Sequence, residues 1–356
     1  MMPQKILQEV ISGRRVSTAE AKYLFEEADL LETAKAADAV RQKKHPDGIV
    51  TFLIDRNVNY TNICQNQCAF CAFYRPKGHP DAYVLSQDEI ERKVAETVEL
   101  GGTQLMLQGG INPDLSIEYY TTMFREIKNK FRIRIHSLSP PEIVHIAESA
   151  GMSIPEALKE LRKAGLDSLP GGGAEILADR VRQRISPRKI LSGQWLEVME
   201  EAHKLGLKTT ATMMIGTVET LEDRLEHLLK IRDLQDRTGG FLSFIPWTFQ
   251  PGNTSLGGSP VFPLEYLRFL SLSRIFLDNF RNIQGSWVTQ GKDIGQVCLS
   301  FGANDLGSIM IEENVVRAAG VSHRITVEGM VDLIRKAGKI PAQRDTEFAI
   351  LKAYNA

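Results

Sequence analysis

From residue 49 onward the chain alternates short apolar runs with longer stretches in which apolar residues recur at helical spacing. IVTFLIDRNVNYT is followed by a cysteine-bearing loop and by SQDEIERKVAETVELG, which opens on a serine cap with acidic residues in its first turn. TQLMLQGG precedes IEYYTTMFREIKNKF, RIRIHSLS precedes the helical PPEIVHIAESAG and SIPEALKELRKAG, and LDSLPGGG precedes RKILSGQWLEVMEEAHKLG. LKTTATMMIG leads into TLEDRLEHLLKIRDLQDRTG, and GFLSFIPWTF into EYLRFLSLSRIFLDNF. Two weaker units, IQGSWVTQG with IGQVCLSFG and ANDLGSIM with a final helix, complete about eight strand-like pieces. Alternation of this kind predicts an α/β fold, a parallel sheet closed into a TIM-type (β/α)8 barrel. Before residue 46 the pattern is helical only, as in STAEAKYLFEEA behind its Ser or Thr cap. The expected organisation is therefore an N-terminal helical cap over 1–45, a barrel over 46–320 and a C-terminal helical extension over 321–356 packed on it.

Barrel chemistry sits at the C-terminal ends of the strands. The unusual stretches fall there: the cysteines after the first predicted strand, QGG after the second, HSLSPPE after the third, PGGGAE after the fourth and MMIG at the fifth. Composition removes other options. At 43% hydrophobic and 24% charged over 356 residues, the chain buries a large core and is not disordered. A net charge of −1 provides no field for nucleic acid or an anionic membrane. With no apolar run of signal-peptide or membrane-spanning length, a soluble cytoplasmic protein is expected.

Three of the four cysteines, Cys64, Cys68 and Cys71, fall within NICQNQCAFCAFYR. A C-x3-C-x2-C loop makes a poor disulfide framework and suits thiolates that converge on a metal centre. Structural zinc would bring a second C-x-x-C or paired histidines, whereas His79 stands alone beside Pro80. Cys298, in the apolar IGQVCLS, reads as a packed core cysteine. Three thiolates leave one iron of a cubane open, and that needs a purpose.

C-x3-C-x-aromatic-C, with Phe70 before the last cysteine, resembles the signature of the radical S-adenosylmethionine (SAM) enzymes. The resemblance implies a [4Fe-4S] cluster on Cys64, Cys68 and Cys71, and SAM on the open iron, reduced to yield a 5′-deoxyadenosyl radical. It also implies an external one-electron reductant such as flavodoxin or ferredoxin. SAM binding then falls to the rim. Glu175, behind three glycines, suits the ribose hydroxyls; Gln108, Gly109 and Gly110 suit the methionine end. Met213 with Ile215 is a candidate to flank the adenine, and Phe70, Tyr74, His136 and Ser137 are further cofactor candidates. His145 and His203 lie in helical patterns and read as surface residues.

Over about residues 45–320, HSLSPPEI, LPGGGAEIL, SWVTQG and GANDLGSIMIEENVV resemble the futalosine-pathway and deazaflavin-forming radical enzymes, and among these the ones that cyclise dehypoxanthine futalosine in menaquinone biosynthesis. That resemblance implies hydrogen abstraction at ribose C4′, addition of the carbon radical to the benzoate ring, and loss of an electron and a proton. The small-molecule substrate needs hydroxyl partners, a carboxylate partner and a base. Arg56, Trp287, Gln290, Asn304 and Asp305 are the candidates for binding, with Thr289 beside them, and Asp305 and Glu313 for catalysis. Addition to an enolpyruvyl alkene (aminofutalosine synthase) and deazaflavin-precursor synthesis are the neighbouring chemistries; a plain iron–sulfur electron carrier is the reading without catalysis.

Overall fold

The computed structural model describes residues 2–354. Three helices, Pro3–Ile11, Thr18–Glu27 and Leu30–Lys44, form the N-terminal segment. Ser17 starts the second through a capping box with Glu20, and Asp29 caps the third. Arg268 donates to the carbonyls of Phe25 and Ala28, which ties this segment to the helix Pro263–Phe276 on the barrel's flank.

The first predicted strand is split into β1 (Ile49–Leu53) and β2 (Asp55–Val58). β2 begins a parallel sheet with β3 (Gln104–Leu107), β4 (Arg134–Ser137), β5 (Ser168–Leu169), β6 (Lys208–Ile215), β7 (Phe241–Thr248) and β8 (Asn282–Ile283), in that order. β9 (Asp305–Ser308) pairs with β1, and a parallel bridge from Gln284 to Asp305 joins β8 to β9. The split strand and β3 to β9 thus close an eight-staved ring. Among the described residues no helix is long and apolar enough to cross a membrane.

The C-terminal segment departs from the helical extension expected. After the helix Val327–Lys336 come β10 (Ile340–Arg344) and β11 (Ile350–Ala353), and β10 joins the barrel wall. It pairs in parallel with β1 from Ile49↔Ile340 to Phe52↔Gln343, on the edge opposite β9, so the split strand meets β10 with its lower half and β3 with its upper half. IPAQR contains a proline and no apolar alternation. Its strand conformation comes from long-range pairing, which a local pattern does not record.

Strand parity decides what reaches the lumen. On β2 Asp55 and Asn57 line it, on β3 Gln104 and Met106, on β6 Thr210 and Thr212. The alternate residues, Ala211, Met213 and Ile215 among them, are fully buried in the core between strands and helices. The lumen therefore carries polar side chains set in a mostly apolar lining, and it holds a cavity of about 280 Å³.

Candidate active site

The cysteine loop leaves β2 and is held by its own backbone. Cys64 N–H donates to Arg75 O at 3.1 Å, Gln65 N–H to Ile111 O at 2.9 Å, and Ala69 N–H to Ile185 O at 2.9 Å. The Arg75 guanidinium binds the carbonyls of Ala72, Phe73 and Tyr74, so it fills the concave side of the turn. Cys64, Cys68 and Cys71 are all free thiols. Burial pushes the Cys68 thiol up to about 12 and raises Cys71, while the Lys189 ammonium pulls both the other way.

Lys189 bridges this loop to Glu175. Its Nζ lies 2.9 Å from Glu175 Oε1 and 5.2 Å from the Phe70 ring centroid. Burial works against its charge, but the Cys68 and Glu175 charges outweigh it and raise its pKa. Glu175 sits at φ +40°, a left-handed conformation that costs a non-glycine residue energy, and is 6% exposed. Its Oε2 is buried without a hydrogen-bond partner and its side chain lines the cavity. That oxygen lies 3.7 Å from Arg182 Nη1, an ion pair without a hydrogen bond, and it keeps acceptor capacity for a ligand hydroxyl.

Residues 58–231 match the Radical SAM superfamily model, and residues 238–355 match the CofH/MqnC C-terminal region. The chain is 48% identical to cyclic dehypoxanthine futalosine synthase of Halalkalibacterium halodurans over 98% of this chain and 95% of the relative. It is 49% identical to the Streptomyces coelicolor enzyme of the same name over 99% and 90%. A 5-amino-6-(D-ribitylamino)uracil–L-tyrosine 4-hydroxyphenyl transferase of Archaeoglobus fulgidus is 43% identical over 90% and 94%.

The chain belongs to the radical SAM superfamily.

The donor set fits the cofactors of that superfamily. Among the described residues no three His, Cys, Asp or Glu side chains converge on a single ion. A cubane does not ask for that, since each of its thiolates holds a different iron. Cys64, Cys68 and Cys71 would hold the cluster, and the Glu175 oxygen that carries no hydrogen bond would take a SAM ribose hydroxyl. Cys298 is 0% exposed in the core against Tyr266 and Gly285, as its apolar context predicts.

The radical SAM barrel sorts the other candidate residues. Gly109 and Gly110 are required sterically: a Cβ on Gly110 would lie 2.2 Å from Ile63 O, and one on Gly109 2.5 Å from the Tyr60 ring. Their N–H groups are already used, Gly109 to Glu142 Oε1 at 3.0 Å and Gly110 to Thr61 O at 3.0 Å. Contact with a methionine amino group would therefore run through carbonyl oxygens. Gln108 and His136 line the cavity; burial holds His136 down at about 3, and its Nδ1 is 2.7 Å from Ser168 Oγ. Tyr74 faces a separate opening beside Cys71 and His79. Trp287 and Thr289 line the cavity, and Trp287 Nε1 donates to Ser308 O at 3.1 Å.

Several expectations are corrected. Met213 and Ile215 face the core, because Thr210 and Thr212 take the inward parity. Ser137 is likewise off the cavity, with its hydroxyl donating to Leu107 O at 2.6 Å. Arg56 points outward to Glu96 at 2.7 Å and the Lys93 carbonyl. Asn304 is consumed by Arg274, Asn282 and the Ile283 N–H. Asp305, 0% exposed, accepts from Arg344, Thr51 and Gly307 and has no free face for a substrate. Gln290 binds Thr248 Oγ1 at 2.8 Å and does not line the cavity. Glu313 reaches the cavity, but its carboxylate caps the N–H groups of Val315, Val316 and Arg317. His145 and His203 are half-buried and not surface residues: His145 meets Asn112 O at 3.2 Å, and His203 lies between Thr238 and Thr209.

Sequence reading missed Lys189, Asp55, Asn57 and Arg344. Asp55 and Asn57 flank Arg56, so one step of parity separated them from the residue chosen.

Proposed function

We propose that this radical SAM protein cyclises dehypoxanthine futalosine, joining ribose C4′ to the benzoate ring in menaquinone biosynthesis. The observation that carries the reading is the 48% and 49% identity, over nearly the whole chain, to two relatives that bear the name of that synthase. The lumen's mixed lining supports it, since a sugar joined to an aryl acid needs both hydroxyl partners and apolar wall.

Bound SAM on a reduced cluster supplies a carbon-centred radical able to remove a hydrogen atom from an unactivated carbon. The chain's own residues bind, orient and shield. Glu175 holds the cofactor ribose by the oxygen that carries no hydrogen bond. Asn57, Gln104, Gln108 and Gln284 offer amide donors and acceptors to the substrate sugar. Met106, Ile245, Trp247 and Trp287 supply apolar wall that keeps water from a radical. His136, neutral by burial, gives a hydrogen-bonding group without a charge. Glu313, whose burial raises its pKa against the pull of its three N–H partners, is the carboxylate at the cavity mouth able to hold a proton. The electron comes from a small one-electron donor such as flavodoxin or ferredoxin in the cytoplasm.

Anaerobic, reconstituted and reduced protein, given SAM and dehypoxanthine futalosine, is expected to yield 5′-deoxyadenosine and a product two hydrogens lighter than the substrate by mass spectrometry. Turnover with tyrosine and 5-amino-6-ribitylaminouracil, or with an enolpyruvyl-bearing benzoate, in place of that substrate would move the protein to a neighbouring chemistry.

A further inference from the structure

We infer that the hairpin of β10 and β11 builds a receptor for the aryl carboxylate of the substrate on the inner barrel wall, with Arg344 as its cation and Thr346 as its hydroxyl donor. The inference rests on the function proposed above and adds to it the anchor for the substrate's charged end.

Arg344 is the one lysine or arginine among the side chains that line the cavity, and it is 4% exposed. It is locked before any ligand arrives. Nε and Nη2 meet Asp305 at 2.6 and 3.1 Å, Nη1 meets Asp345 O at 2.9 Å, and the guanidinium lies 3.8 Å from the Phe348 ring centroid. Phe348 sits at φ +67°, in a turn closed by Asp345 N–H to Ala349 O and Ala349 N–H to Asp345 Oδ1, which sets its ring against the guanidinium. Those bonds use three of the five N–H donors of an arginine, leaving two for a ligand.

Two unpartnered polar atoms stand on the same wall. Thr346 Oγ1 is buried without a partner in a residue 5% exposed, and Thr346 lines the cavity. Asp55, 3% exposed, accepts Gln104 Nε2 at 2.8 Å on Oδ2, while its Oδ1 has no partner. A buried polar group without a partner is unfavourable, and a ligand that supplies the partner removes that penalty. A carboxylate answers Arg344 and Thr346: one oxygen accepts from the first and the other from the second, while burial raises the Asp55 pKa against the pull of Ser308, Gln104 and Arg344. Leu53, Leu306 and Phe348 line the wall alongside and suit an aryl ring. β10 pairs with the lower half of the split strand, whereas the cysteines follow its upper end, so the acid lies deep and the ribose toward the cofactor.

The test titrates dehypoxanthine futalosine and its carboxamide analogue into cluster-loaded, SAM-bound protein by anaerobic calorimetry. Wild type is expected to favour the carboxylate by roughly 10- to 100-fold, the scale of charge-assisted hydrogen bonds. Asp305→Asn with Arg344→Gln, which leaves no buried charge uncompensated, should abolish the preference while carboxamide binding stays within about threefold. Thr346→Val, close to isosteric, should weaken carboxylate binding about fivefold and leave the carboxamide less affected; it decides alone if the double variant does not fold. A preference that survives in the folded double variant, or that is absent from wild type, overturns the receptor even if cyclised product forms. An Arg344-dependent preference without cyclised product overturns the functional reading and leaves the receptor standing.

Discussion

Asp305 grips Arg344 across 39 residues of sequence, at 2.6 and 3.1 Å, with the carboxylate 0% and the guanidinium side chain 5% exposed. The pair fastens the C-terminal strand to the last stave of the ring, so Asp305 is a structural carboxylate. Removing one member of a buried pair leaves the other charged and unpaired, a loss of roughly 3–5 kcal/mol. Asp305→Ala should therefore lower the urea midpoint severely, and the Asp305→Asn with Arg344→Gln double variant should recover much of it. Equal stability of Asp305→Ala and wild type would show that the pair contributes nothing.

Glu175 meets the cofactor side of the cavity in the same way that Arg344 meets its inner side. Glu175→Gln keeps the shape but weakens a charge-assisted hydrogen bond worth roughly 1.5–3 kcal/mol, so SAM affinity should fall by about one to two orders of magnitude. Cluster content, measured as iron and sulfide per chain, should be unchanged. Unaltered SAM binding by calorimetry would remove Glu175 from the cofactor site. Lys189→Met takes the partner from both Glu175 and the cluster loop, so it should weaken SAM binding as well.

The four cysteines divide sharply. Cys64→Ala, Cys68→Ala and Cys71→Ala should each lose the visible absorbance of a [4Fe-4S] cluster and all 5′-deoxyadenosine formation. Cys298→Ala should retain both, at a cost of roughly 1 kcal/mol for lost core packing. Cluster loss in that variant would make Cys298 a fourth ligand and overturn the open-iron argument.

What sequence made legible follows from how local each signal is. The cysteine loop, the glycine pair and the strand–helix alternation are short-range patterns, and each stands where it was expected. Inward and outward parity was not legible. Strands of a parallel barrel are buried on both faces, so IVTFLIDRNV and LKTTATMMIG carry no alternation to set it, and Arg56 and Met213 were placed on the wrong side. Arg344 was invisible for a different reason: it enters the lumen through the pairing of β10 with β1, nearly 300 residues away in the chain. Asn304 and Asp305 were read at the right stave, but which of their neighbours would saturate them depends on Arg274 and Arg344.

The histidines set an acid limit. Burial holds His136 and His227 down at about 3 and His203 at about 4, with Arg344, Arg182 and Lys208 respectively adding repulsion. In the unfolded chain these rings titrate near 6.5. Between that value and the depressed ones, the unfolded state binds more protons than the folded state, so stability is complete above about pH 6.5 and falls as the pH drops. Each ring contributes a slope of up to about 1.4 kcal/mol per pH unit. His227 isolates the effect, because its Nδ1 accepts the Leu177 N–H at 2.9 Å in the core and it does not line the cavity. Urea unfolding of wild type and His227→Gln at pH 7, 6 and 5 should give a difference in stability that narrows as the pH falls, since only wild type then protonates this ring on unfolding; other titrating groups cancel in the comparison. A difference that stays constant across that range would mean that His227 titrates alike in the folded and unfolded chain, so that burial does not depress it.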